Sequence, residues 1–85
     1  MRNSLNCRTL LRVHQRVVDR GQWCDGRYGY LGLWAWSDFD GYTAFLGNDD
    51  VTLSVFFHNR YQFDYPDSAA LAQFLAAVEW VAELQ

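Results

Sequence analysis

Residues 51–65 read VTLSVFFHNRYQFDY, and this stretch decides the fold. From Val51 to Phe57 an apolar residue occupies every second position, which predicts a β-strand with one face in the core. A reversal follows around Asn59, a residue type that adopts a positive φ more readily than most. Residues 61–65 then alternate again, with an aromatic ring at every second position. Strands joined by so short a connection pair antiparallel, so the stretch predicts a β-hairpin.

Two further strands are predicted before this hairpin. One runs from Tyr42 to Leu46 and ends at a turn over residues 47–50. The other runs from Tyr28 to Trp36 and ends at the turn formed by residues 37–41. With connections this short, we expect each strand to pair with its neighbour in the chain and to form an antiparallel meander.

The predicted strand from Tyr28 to Trp36 differs from the others because both of its faces are apolar. Strict alternation puts its large aromatic residues on one face, namely Tyr28, Tyr30, Trp34 and Trp36. Leu33 and Ala35 take the other face. Either the strand is central and covered on both sides, or the face with Trp34 and Trp36 is a surface for something else.

A first helix is predicted between a cap at Asn3 or Ser4 and an end at Gly21. Its apolar residues recur at helical spacing and form a stripe along one side. Arginines at every fourth position form a ridge on the opposite side: Arg8, Arg12, Arg16 and Arg20. The helix is therefore amphipathic, with a basic outer surface.

A second helix is predicted after Pro66, with Asp67 as its N-cap. Its apolar stripe consists of Leu71, Phe74, Leu75, Val78 and Val81. Away from that stripe lie Ala72, Ala76 and Trp80, and small residues beside a tryptophan make a flat surface suited to docking. The alternative is that Trp80 folds back over the sheet edge or the first helix.

These elements predict an α+β fold in a single two-layer domain that spans residues 1–85, in the order helix, four-stranded antiparallel meander, helix. Both helices are expected on one face of the sheet, because the last two strands have one strongly apolar and one mostly polar face. Fifteen of the 85 residues are aromatic. Each can bury about 150–250 Å², so a thin sheet can still build a substantial core.

Charge and hydropathy bear on location and partners. No run of 18 apolar residues predicts a membrane span, and the first residues lack the apolar stretch of a secretion signal, so we expect a cytoplasmic protein. Six of the seven arginines lie within residues 1–27, whereas eight of the ten acids follow. A basic first helix before an acidic body is the kind of asymmetry that can mark a partner surface.

Residues 37–65 carry a resemblance to a known family. The segment SDFDGYT, residues 37–43, followed by VTLSVFFHNRYQFDY, residues 51–65, resembles a family of short bacterial proteins of unknown function. The resemblance implies a bacterial cytosolic origin. It implies no activity, cofactor or catalytic residue.

No metal, cofactor or catalytic site is predicted. The four soft metal ligands are Cys7, His14, Cys24 and His58, and none of them form the close-spaced pairs that zinc sites use. Cys7 and His14 lie in the apolar stripe of the first helix, where a packed thiol and a hydrogen-bonded imidazole are the simpler interpretation. Asp38 and Asp40 before Gly41 are explained by turn chemistry rather than by a bound cation.

Two functions from different classes remain. The first is a non-enzymatic binding or regulatory module that acts through protein contacts and forms a homodimer, with Trp34, Trp36, Ala72, Ala76 and Trp80 as the contact. The alternative is a nucleic-acid-binding protein that uses Arg8, Arg12, Arg16 and Arg20. A sequence pI near 5.0 weighs against the alternative, because an acidic body repels a polyanion. No small-molecule ligand is predicted.

Overall fold

The computed structural model describes residues 7–39, 41–56 and 60–84, with Cys7 described by its backbone alone. Within these residues lie two helices and six strands, in the order α1 (Cys7–Arg20), β1 (Gln22–Cys24), β2 (Arg27–Tyr30), β3 (Leu33–Ser37), β4 (Thr43–Gly47), β5 (Thr52–Phe56), β6 (Arg60–Asp64) and α2 (Ser68–Glu83). The strands form one sheet in which each pairs antiparallel with its neighbour in the chain. The α+β class is therefore confirmed, and so is the order along the chain of a helix, an antiparallel sheet and a second helix.

The predicted number of four strands is wrong, because the described residues form six. The two additional strands arise from two-residue turns. Asp25 and Gly26 have φ values of 57° and 89°, and Leu31 and Gly32 have φ values of 54° and 85°. Positive φ at both central residues is what a type I′ hairpin turn requires. The first turn creates β1, and the second divides the predicted strand from Tyr28 to Trp36 into β2 and β3.

The turn at Leu31 and Gly32 also changes which residues share a face. Across it, Tyr30 pairs with Leu33 and Tyr28 pairs with Ala35, so these four side chains point to the same side of the sheet. Trp34 and Trp36 point to the opposite side. The prediction that Tyr28 and Tyr30 lie on the face of the two tryptophans is therefore wrong.

Both helices pack on one face of the sheet, here named the helix face. The core between the layers consists of Leu10, Val13 and Val17 of α1, Phe74, Val78 and Val81 of α2, and Leu33, Ala35, Leu46, Val51, Leu53 and Val55 of the sheet and its turns. α1 lies over β2 to β5, and α2 lies beside α1. The Phe74 ring of α2 meets the Phe63 ring of β6 edge to face, with 6.4 Å between centroids. Since α2 reaches β6 in this way, it covers the end of the sheet that α1 leaves open.

Polar side chains close the ends of several elements as the sequence predicts. Asp67 is the N-cap of α2, and its Oδ1 accepts a hydrogen bond from the Ala70 amide at 2.8 Å. In the turn before β4, Oδ1 of Asp38 accepts a hydrogen bond from the Thr43 amide. The half-buried His14 is hydrogen-bonded through Nε2 to the Trp36 carbonyl oxygen at 3.0 Å. The predicted cap at residues 3–4, the second turn aspartate at position 40 and the first two residues of the reversal predicted at 58–60 lie outside the described residues.

Leu31 occupies a left-handed backbone position that costs an ordinary L-residue about 1–2 kcal/mol, because its Cβ approaches the following carbonyl oxygen, whereas asparagine tolerates the position better. Its side chain is exposed, so little burial is lost on replacement. We expect Leu31→Asn to raise the free energy of unfolding by about 0.5–1 kcal/mol in urea titrations. The β-branched control Leu31→Val is expected to lower it, and equal stability of the two variants would contradict the turn assignment.

Candidate functional site

The face of the sheet that points away from the helices, here named the outer face, carries a row of aromatic and cationic contacts. The Trp34 ring lies over Gly29, where an added Cβ would be only 2.9 Å from Cζ3 of the indole. Cζ of Arg27 lies 4.2 Å from the centroid of the Trp34 ring and 5.7 Å from that of Trp36. Trp36 in turn stacks on Phe45, with 5.3 Å between centroids and 13° between ring planes. Each aromatic side chain therefore covers, or is covered by, a neighbour on the adjacent strand.

These contacts answer the question that the sequence left open about β3. The strand is central, and helices cover one of its faces. On the other face Trp34 and Trp36 are half-buried, and among the described residues they are covered by side chains of the sheet itself, namely Arg27 and Phe45. Cation–π and stacked aromatic contacts each contribute about 0.5–1.5 kcal/mol. The outer face of β3 thus has a structural role of its own.

The outer side of α2 is different, because its apolar residues have no such cover. We name Ala72, Ala76 and Trp80 the α2 patch; all three are exposed, and Trp80 retains 56% of its accessible surface. The buried side of the same helix is complete without them, since Phe74 and Val78 are fully buried. Trp80 is therefore a surface residue and not part of the core.

The two predicted parts of the protein contact do not meet. Trp34 and Trp36 lie on the outer face of the sheet, whereas the α2 patch lies on the solvent side of the helix layer. The sheet and the core separate them. A single docking surface of this chain therefore cannot contain both groups, and any proposal has to choose between them.

The arginine ridge of α1 has unequal members. Arg8 and Arg12 are exposed, and Arg20 is exposed but makes an interaction of its own. Arg16 is half-buried, and its Nη1 donates hydrogen bonds to the carbonyl oxygens of Val81 at 2.9 Å, Ala82 at 3.0 Å and Leu84. Carbonyls at a helix C-terminus lack partners within the helix and carry partial negative charge, so Arg16 acts as a cap supplied by another element.

Sequence reasoning missed this role of Arg16. A signal was available, because α2 has no basic residue in its last turn and its terminal carbonyls need a cation from elsewhere. Which of the four arginines would supply it depends on how the helices pack, and periodicity along α1 does not contain that information.

An open groove of about 490 Å³ lies beside Trp34 on the outer face. Its lining includes Gln22, Cys24, Gly29 and Leu31, with Asp49 at one side. Among residues 7–39, 41–56 and 60–84, no three His, Cys, Asp or Glu side chains come together in a group that could hold a metal ion. Over the same residues, no helix has the length and apolarity needed to cross a membrane.

Fold and surfaces together define a small α+β protein, built as an antiparallel meander under two helices, with a tryptophan exposed beside alanines on the second helix. The chain belongs to the protein family of unknown function DUF3081, whose family model matches residues 5–85. The predicted resemblance to short proteins of unknown function is thereby confirmed, and it extends far beyond residues 37–65. Searches of curated proteins and of solved structures found no significant match. The family description names no activity, so nothing in the comparison indicates an enzyme.

Replacing Arg16 tests its role as a cap. Arg16→Met keeps the aliphatic stem and removes all donors, and we expect it to lower the free energy of unfolding by about 1.5–3 kcal/mol, because hydrogen bonds to a charged group are lost. The matched control Arg12→Met lies one turn earlier at an exposed position and is expected to change stability by no more than about 0.5 kcal/mol. Chemical denaturation monitored by tryptophan fluorescence measures both. Equal effects would show that the ridge is a uniform solvated surface.

Replacing Trp36 tests whether the outer face stabilises the fold. Trp36→Ala removes the stack on Phe45 and part of the cover of Arg27, so we expect a loss of about 2–3 kcal/mol in the free energy of unfolding. Trp23, which is 62% exposed and meets the Tyr28 ring edge to face at 4.9 Å, provides a control with a single aromatic contact, and Trp23→Ala is expected to cost about 1 kcal/mol. A Trp36→Ala variant with the stability of the Trp23→Ala variant would show that the aromatic row is not structural.

Proposed function

We propose that this protein is a non-enzymatic interaction module that acts through protein–protein contacts and forms a homodimer through the α2 patch. The observation that carries the proposal is the exposure of Trp80 among small residues on a helix whose buried side is already complete. Tryptophan is enriched in the energetic centre of protein interfaces. The outer-face tryptophans support the proposal less, because their rings already have partners within the chain.

The energetics of the α2 patch favour association. Hiding the exposed half of Trp80 removes mostly apolar surface from water, which contributes about 2–3 kcal/mol per chain. Ala72 and Ala76 have no rotamers to lose, so ordering them in an interface costs no side-chain entropy. Their small size also allows another backbone to approach α2 closely. A flat apolar strip with one large anchor is therefore well suited to a second helix.

The pattern along α2 supports a second copy of the chain as the partner. If two α2 helices pack antiparallel with the two-fold axis at Ala76, Trp80 of each lies opposite Ala72 of the other. The same register places Glu79 opposite Gln73, so no two acids face each other. A parallel pairing would set tryptophan against tryptophan and Glu79 against Glu79, which is both a steric and an electrostatic conflict. The helix is self-complementary in the antiparallel sense alone.

The alternative of a nucleic-acid-binding protein has less support. One of its four arginines, Arg16, is engaged with the end of α2, and Arg20 has another interaction. Arg8 and Arg12 remain as exposed cations on a protein with a net charge of −3. Two phosphate contacts are few for a binder that must overcome the repulsion of an acidic body. A bacterial origin and a cytoplasmic location remain predictions of the sequence.

The proposal is tested by measuring molar mass. We expect wild-type protein to elute as a dimer in size-exclusion chromatography with light scattering, and Trp80→Ala to weaken the dimer about 30-fold or more, as loss of an interface tryptophan does. Trp23→Ala is the control, because it removes a tryptophan of similar exposure on β1, at the edge of the sheet opposite β6. The proposal would be contradicted by a monomeric wild type, or by a Trp80→Ala variant that dimerises with the same affinity as wild type.

A further inference from the structure

The edge strand β6 is the feature that this inference starts from. It is the last strand of the sheet, and among the described residues no strand pairs with the edge that faces away from β5. An unpaired edge presents free amide and carbonyl groups to other strands, and proteins usually protect such edges. β1, at the opposite end of the sheet, is only three residues long, and so short an edge offers little for another strand to pair with. β6 has five residues, and Arg60 to Asp64 pair with β5 in unbroken register, so no bulge protects its edge.

The sequence of β6 is complementary to itself. Arg60, Gln62 and Asp64 point to the outer face, and Tyr61 and Phe63 point to the helix face. A two-fold axis through Gln62 brings Arg60 of each copy opposite Asp64 of the other, and Tyr61 opposite Phe63. Opposite charges and paired aromatic rings directly across two strands are both stabilising arrangements.

We propose that β6 pairs antiparallel with β6 of a second copy, centred on Gln62, so that one sheet runs through both subunits. A parallel pairing in register would place Arg60 against Arg60 and Asp64 against Asp64, which is repulsive at both ends. A slip by one residue would turn the aromatic side chains of one copy to the face that carries the charges of the other. The charge pattern therefore selects the second copy, its direction and its register together.

The inference rests on the proposed homodimer and deepens it, because it identifies the seam at which the two copies join. A two-fold axis at right angles to the sheet leaves both helix layers on the same side. α2 contacts β6 through Phe74 and Phe63, so the axis brings the middle of α2 towards α2 of the second copy. That is the part of the helix that carries Ala76, the centre of the self-complementary helix pairing. The seam thus brings the two copies of α2 near each other, and Tyr61, which is 42% exposed in the single chain, becomes covered.

The test exchanges charges across the seam. In the R60D variant both ends of the seam carry two facing acids, and in D64R both carry two facing cations, so each variant alone should dimerise roughly 10- to 100-fold more weakly than wild type at low salt. Mixing R60D with D64R in equal amounts should restore a tight heterodimer, because every facing pair is then opposite in sign. The double variant R60D/D64R should form a homodimer close to wild type in affinity. Analytical ultracentrifugation measures each case.

The controls carry the same net charges at positions away from β6. R12D matches R60D and D50R matches D64R, and both should dimerise as wild type does because Arg12 and Asp50 are exposed elsewhere. Circular dichroism of each variant establishes that it is folded, and recovery in the mixture excludes misfolding as the cause of any loss. If wild type is a dimer and neither single variant weakens it, the β6 seam is wrong while the α2 proposal stands. A monomeric wild type overturns both.

Discussion

The burial of the sheet on one side is the constraint on which the rest of the structure depends. A chain of 85 residues can build one core, and here that core lies between the helix face and the two helices. Every strand must therefore present its aliphatic side chains to the same side, and Leu33, Leu46 and Leu53 do so on three consecutive strands. Among the described residues no second layer covers the outer face, whose side chains pack on each other instead. The contacts of Trp34 with Gly29, and of Trp36 with Phe45, follow from that shortage of chain.

Arg16 connects this core to the end of the molecule. α2 is apolar over most of its surface and has no cation in its last turn, so its position and its terminal carbonyls both depend on α1. The guanidinium reaches three of those carbonyls and fixes the C-terminal end of α2 beside α1. The other end of α2 is fixed by its own cap at Asp67 and the middle by Phe74 against Phe63. A helix held at three points keeps its apolar outer side in one orientation, which a docking surface needs.

Much of the fold can be predicted from the sequence because periodicity and caps are local. The alternation over residues 51–56 and the cap at Asp67 both correspond to the elements in the structure. The division at Leu31 could not be read in this way, because leucine gives no sign of a positive φ and a two-residue turn leaves the apolar alternation looking continuous. That turn reverses the parity of the chain, so the error moved Tyr28 and Tyr30 to the wrong face. The candidate site was harder to predict. Helical spacing shows on which side of its helix Arg16 or Trp80 lies. It does not show that Arg16 meets the end of α2, or that Trp80 stays exposed.

The order of the strands has a further consequence, for the rate at which the protein folds. Every strand pairs with the one next to it in the chain, and two of the connections are turns of two residues. Closing such short loops costs little entropy, so the hairpins can form before distant parts of the chain meet. Sheets with many non-local strand pairings fold slowly, and the described residues contain no such pairing. The contacts of Arg16 with the end of α2 join residues 65 to 68 positions apart, so closing that loop costs the most entropy. We therefore expect the docking of α2 to be the slow step of folding.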